Sequence, residues 1–189
     1  MTRLGLLGVA LCVWPAGPVP TDLIGTASAS GKTIADAVIW LDAPGSGRVA
    51  PRTEAVLDQR DLQFFPHVLA VQVGTAVKFP NHDRVFHNVF SFHDRKKFDL
   101  GLYPVGVVRQ VPFDRAGLSR VFCNIHPQMA AYVIVVDTPY FAVSDSAGNF
   151  RIKGVPIGTY PYHAWRPGGS ILNAMVEVHP AARLDVRWP

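Results

Sequence analysis

The chain has 189 residues, of which 49% are hydrophobic and 17% charged, and a formal net charge of +4. That supplies apolar material for one large or two small domains and excludes a disordered chain. The basic excess is scattered, with no Lys/Arg stripe, which argues against a nucleic-acid partner.

Residues 1–20 run from Arg3 through the apolar stretch Leu4 to Trp14 into small residues and prolines. This is the layout of a secretory signal peptide, so a periplasmic or otherwise exported protein is expected. The apolar stretch is too short to span a bilayer, and no other segment is predicted to cross one. Cys12 would fit a lipoprotein signal only with a small residue before it, and Leu11 stands there. Removal of the leader leaves Cys123 as the only cysteine, since the chain has 2. It then has no partner for an internal disulfide, and a lone thiol in an oxidising compartment is a liability unless buried, reactive or held by a metal.

After the leader, helical periodicity is nearly absent. Short apolar runs broken by Gly, Pro, Asn and Asp predict an all-β sandwich architecture. In "VLAVQVGTAVKF", Leu69, Val71, Val73, Val77 and Phe79 fall on alternate positions and predict one buried face. "VRQVPFDRAGLSRVF" predicts a strand, a turn over 114–117 and a second strand, and "YVIVV" a buried strand.

The two flanks differ in character from the centre. "FAVSDSAGNFRIKGVPIGTY" carries an Asp-x-x-Gly-x-Phe turn at Asp145, Gly148 and Phe150, and it resembles the carboxypeptidase regulatory-like (transthyretin-like) modules. The segment "IGTASASGKTIADAVIWLDAP" resembles the opening of the same module. The expected organisation is a small transthyretin-like β-sandwich of residues 22–50 plus 137–189, with a second β unit over 56–136 inserted in or joined to it. One continuous sandwich with extra strands is the alternative.

The central unit carries the chemistry. "FCNIHPQM" places Cys123, His126 and Met129 three residues apart, just before the predicted strand. A thiolate, an imidazole and a thioether are soft ligands suited to copper, and a trigonal set of one Cys and two His with a weak axial Met is the blue-copper arrangement. The missing histidine is sought among His82, His87 and His93. His87 is best placed, in "HNVFS" after a turn and at the start of an apolar run.

"FPNHDRVFHNVFS" followed by "FDRAGLSRVFCNIHPQM" resembles the cupredoxins over about residues 56–136, and within them the amicyanins more than the plastocyanins and pseudoazurins. The resemblance implies a Greek-key β-sandwich or barrel with one type 1 copper held by His87, Cys123, His126 and Met129. It further implies that Asn88 ties the two ligand loops together, with a plain turn residue as the alternative. The edge of His126 would reach the surface through an apolar patch near Pro127 and serve as the electron port.

Four protein ligands leave no open position for substrate, and no His-x-His is present for a coupled copper cluster, so a one-electron carrier with protein redox partners is expected rather than an enzyme. A copper carrier or storage protein, and an interaction module with a vestigial copper site, are the alternatives. His82, Asp83, His93 and Asp94 are weighed as a second metal site against solvated loop residues. His67, His163 and His179 read as surface or strand histidines, and the run from Asp94 to Asp99 as an exposed charged loop or a docking patch.

Overall fold

The structure is a computed structural model that describes residues 20–45, 54–92 and 96–189. The expected signal peptide, apart from Pro20, lies outside the described residues, as do His93 and Asp94. Among the described residues there is no helix, and so none long and apolar enough to cross a membrane.

The chain is all-β. Strands β1 (Thr21–Ala29), β2 (Lys32–Thr33) and β3 (Val38–Leu41) come first. They are followed by β4 (Glu54–Val56), β5 (Asp58–Arg60), β6 (Gln63–Phe65), β7 (Val68–Gln72), β8 (Thr75–Pro80) and β9 (His87–Ser91). Next come β10 (Phe98–Tyr103), β11 (Val108–Phe113), β12 (Gly117–Phe122) and β13 (Ala130–Val136). The last are β14 (Phe141–Val143), β15 (Asn149–Val155), β16 (Gly158–Trp165), β17 (Leu172–Val178) and β18 (Arg183–Trp188).

Pairing divides these strands into two groups. The first and last strands form two sheets, β15-β1-β18 with β2 on β1, and β14-β3-β16-β17. Leu23, Ile39, Leu41, Ile152 and Val186 fill the space between them. The strands β4 to β13 pair among themselves, in the orders β10-β9-β12-β13-β7, β11-β8-β4 and β5-β6. Val77, Phe79, Val89, Phe113, Val121 and Met129 make their core.

In this central group the alternating residues from Leu69 to Phe79 all pack toward one core, as expected. They do not lie on one strand. Gly74 takes φ +91° and turns the chain from β7, in the five-stranded sheet, to β8, in the three-stranded one. Only glycine adopts that conformation without strain. β11 and β12 are likewise split between the two sheets, each closing a different side of the same core.

β13 explains why "YVIVV" is apolar at every position. Ala131, Val133 and Val135 point into the central core. Ile134 and Val136, on the opposite face, pack with Val38, Val68 and Trp165 of a third cluster that joins the two groups of strands. Tyr132 adds a ring contact to Trp165 at 5.1 Å. A strand covered on both faces needs a continuous apolar run, where a half-exposed one alternates. At the rim of this seam His67 Nδ1 pairs with Asp36 Oδ2 at 2.7 Å.

The flanking sandwich has a tight corner at its Asp-x-x-Gly-x-Phe stretch. Asp145 Oδ1 accepts the amides of Ala147 and Asn149, Gly148 takes φ +81°, and Phe150 is buried. Gly25 on β1 marks another close approach: a Cβ there would collide with the Leu184 carbonyl oxygen and come within 2.5 Å of Phe150. Gly25→Ala is therefore expected to lower unfolding stability by about 2–3 kcal/mol, the range of an overpacked core, as read by urea denaturation.

On the outer side of the same sandwich, His163 Nε2 donates to Asp42 Oδ2 at 2.9 Å, and its ring stacks on Trp40. Partial burial pushes the His163 pKa down, but the bonds to Asp42 and Asn173 outweigh it and hold it above the ordinary 6.5. The protonated ring thus favours the folded state, a contribution complete below about pH 6.5 and lost as pH rises through the raised value. Asp42→Asn is expected to cost up to about 1 kcal/mol at pH 5.5 and less at pH 8.5, which thermal melts at the two pH values would resolve.

Candidate metal centre

The ligand loop spans from the end of β12 to the start of β13. Because β12 and β13 are paired from Gly117↔Val135 to Phe122↔Ala130, they deliver Cys123 and Met129 side by side. The Cys123 amide donates to the Met129 carbonyl at 3.2 Å, and the Met129 amide to the His126 carbonyl at 2.9 Å, which closes the loop. Cys123 and Met129 are buried, and His126 is half-buried between them in sequence. Pro127 and Ile125, on either side of His126, are exposed.

His87 opens β9, the neighbour of β12, and is fully buried. Strand pairing brings it over the loop: His87 Nδ1 lies 3.1 Å from His126 Nδ1 and 4.0 Å from Cys123 Sγ, and His126 Nδ1 lies 3.8 Å from the same sulfur. The three ligand atoms lie within 4.8 Å of one another and can hold a metal ion. Two nitrogens at about 2.0 Å and a thiolate sulfur at about 2.3 Å from a metal in a trigonal plane would stand roughly 3.5–3.8 Å apart. The observed triangle matches that size, and its two imidazoles and thiolate are the donor set copper takes in a trigonal site. Met129 belongs to the same buried cluster as Cys123.

The other ring nitrogen of His87 is also occupied. Asp83 Oδ2 accepts from His87 Nε2 at 3.0 Å and from the Leu62 amide at 2.7 Å, and Asp83 Oδ1 accepts from the Arg84 amide at 2.9 Å. Burial pushes the Asp83 carboxyl up, yet the two amides and the His87 ring prevail and hold it below its ordinary value. An ionised Asp83 fixes the proton of neutral His87 on Nε2 and leaves the Nδ1 lone pair facing Cys123. Asn81, fully buried, shapes the turn: its Oδ1 accepts the Asp83 amide at 3.0 Å, and its Nδ2 donates to the carbonyls of Val85 and Tyr103.

Tyr103, in register with His87 on β10, is buried and bonded to Gln59 Nε2 at 2.6 Å and the Phe79 carbonyl at 3.1 Å. Burial pushes its phenol well above the ordinary range, so it stays neutral beside the site.

The structure brings His87, Cys123 and His126 together, and it turns His82 and Asp83, the two described residues of those weighed as a second site, apart. His82 turns outward to Asp58 at 2.9 Å, while Asp83 turns inward to His87. Among the described residues the group of His87, Cys123 and His126 is the only one of its kind. Asn88 does not tie the ligand loops: its Nδ2 donates to Asp99 Oδ1 at 2.8 Å, across to β10. Strand alternation that turns His87 toward Cys123 turns the next residue away, and the irregular register of β10 between Asp99 and Leu102 receives it. Asp83, Asn81 and Gln59 had no assigned role at the site. Asp83 four residues before a candidate ligand was the one available signal for them.

No family model and no curated protein matches the chain. Among solved structures it is similar to a purple cupredoxin from Nitrosopumilus maritimus at 23% identity, over 43% of this chain and 99% of that one, with a TM-score of 0.41. It is also similar to a reduced amicyanin variant at 21% identity, over 52% of this chain and 98% of that one, with a TM-score of 0.42. A copper-containing nitrite reductase from Thermus scotoductus is similar at 23% identity and a TM-score of 0.43, over 51% of this chain and only 25% of the reductase.

Asp83→Asn removes the charge that orders the His87 ring and keeps the shape of the side chain. It is expected to weaken metal binding by about 10–100-fold, measured by competition with a chelator at pH 7.

Proposed function

We propose that the protein is an exported type 1 blue copper protein that carries single electrons between protein redox partners. The observation that carries this reading is the triangle of His87 Nδ1, Cys123 Sγ and His126 Nδ1, all within 4.8 Å of one another. Bound copper would supply the one-electron Cu(II)/Cu(I) couple. Cys123 would bind as the thiolate and the two histidines as neutral imidazoles, and Met129, buried in the same cluster as Cys123, would offer its thioether.

The protein's own part is to hold these donors still. The paired ends of β12 and β13 and the Cys123–Met129 amide bond keep the loop closed. Asp83 orients His87 from behind. A compromise between the preferences of the two copper oxidation states, kept rigid, needs little rearrangement when an electron arrives or leaves. Burial of His87, Cys123 and Met129 excludes water. Half-buried His126, flanked by exposed Ile125 and Pro127, offers the edge through which an electron would pass.

The same donor set speaks for a carrier over an enzyme, since protein atoms fill the coordination positions and leave none for substrate. The apolar stretch from Leu4 to Trp14 supports export. The corner at Asp145, with Gly148 at positive φ and Phe150 buried, supports a carboxypeptidase regulatory-like reading of the flanking sandwich.

Loaded with Cu(II), the exported protein is expected to show an intense visible thiolate-to-copper band and reversible one-electron reduction with the metal retained. Cys123→Ser should abolish the band. Release of copper on reduction would instead support a copper carrier, and an unchanged Cys123→Ser spectrum would sink the ligand assignment.

A further inference from the structure

The two candidate histidine ligands are backed differently. His87 Nε2 donates to Asp83 Oδ2 at 3.0 Å, and these two side chains are 0% and 13% exposed. The second ring nitrogen of His126 has no hydrogen-bond partner among the described residues. Asp83 is otherwise held by the amides of Leu62 and Arg84, which carry no net charge. Among the described residues no Lys or Arg side chain pairs with it. The negative charge of Asp83 is therefore uncompensated beside the ligand triangle.

Nothing else buried nearby offsets it. Among the described residues no Lys or Arg is buried, and Gln59, Asn81 and Asn88 are neutral. Tyr103 stays neutral as well, since burial pushes its phenol well above the ordinary range. A metal bound to the Cys123 thiolate thus meets two negative charges, the second from Asp83, and two neutral imidazoles. Two negative charges balance a divalent ion. A monovalent ion leaves one of them unbalanced in a site with little water, where the low local dielectric makes that costly.

We infer that Asp83 is a positioning residue whose charge, acting through the His87 ring, makes the site prefer a divalent ion to a monovalent one. On reduction one electron passes from a protein donor, which is oxidised, to the bound ion, whose charge falls by one. The carboxylate opposes that step and favours its reversal. The protein would therefore take electrons from a strongly reducing partner and give them up readily. For copper the inference rests on the type 1 reading of the site, whereas the preference between ion charges does not. It also separates two roles of Asp83: shape alone would strengthen the binding of both ions, and charge strengthens that of the divalent one.

The unaltered full chain is compared with Asp83→Asn and Asp83→Ser, which remove the charge, and with Asp83→Glu, which keeps it. Circular dichroism checks folding, and either neutral variant suffices. The potential of the copper-loaded proteins is read by spectroelectrochemistry at pH 7. In the neutral variants the ratio of Cu(II) to Cu(I) affinity should fall at least tenfold, a rise of about 59 mV or more for a one-electron couple, with the visible band kept. Asp83→Glu should stay within about threefold of the unaltered chain, because the charge is retained. So should Asp58→Asn, which removes a neighbouring charge paired with exposed His82, where solvent screens it. Titration of the metal-free proteins with Zn(II) and Ag(I) reads the same preference without redox chemistry, and the Zn(II)-to-Ag(I) affinity ratio should fall by about tenfold or more in the neutral variants.

Equal loss of both affinities with an unmoved potential would mean that Asp83 only shapes the site, and it overturns the inference. An equal shift in Asp83→Glu or Asp58→Asn does the same. An unaltered chain that shows no visible copper band sinks the copper reading instead, and the Zn(II)-to-Ag(I) ratio then decides the ion preference by itself.

Discussion

The structure depends on burying β13 on both faces. Its odd-numbered valines complete the central core, while Ile134 and Val136 press against Val38 and Trp165 of the flanking sandwich. Each such aliphatic side chain contributes about 1.5–3 kcal/mol when fully removed from water, so the strand is anchored from two sides. β13 is also the strand onto which the ligand loop closes. The same seven residues therefore join the two halves of the molecule and fix one end of the candidate metal site.

That arrangement gives the site its rigidity. Cys123 and Met129 are held by the ladder between β12 and β13, and His87 by its place at the start of β9. Orientation within the site is a separate matter, settled by hydrogen bonds behind the ligands. Asn81 shapes the turn, the turn aims Asp83, and Asp83 sets which nitrogen of His87 faces the sulfur. A buried ligand held this way has little freedom to swing when its charge environment changes.

Much of the candidate site was legible in the sequence because its candidate donors are local: Cys123, His126 and Met129 lie on one loop, and their chemistry is unusual for a chain with 2 Cys and 3 Met. His87 was legible from its place at the head of an apolar run. Asp83 and His82 could not be told apart, being adjacent polar residues on one turn, and only the buried Asn81 decides which of them faces inward. Asn88 illustrates the converse. A neighbour in sequence is on the opposite face of a strand, and its bond to Asp99 follows from that alternation together with the irregular register of β10.

The sequence by itself determined that the chain is all-β, that its apolar residues alternate toward sheet cores, and that a soft-ligand set sits before a strand with no polar face. These are properties of residue type and period, which act over a few positions. Only the tertiary structure decided that Gly74 sends β7 and β8 into different sheets, that the second face of β13 is covered by Trp165, and that the terminal strands of four sheets line one groove. Those features arise from pairings between residues far apart in the chain, and no local pattern encodes which edges are left open once the pairings are made.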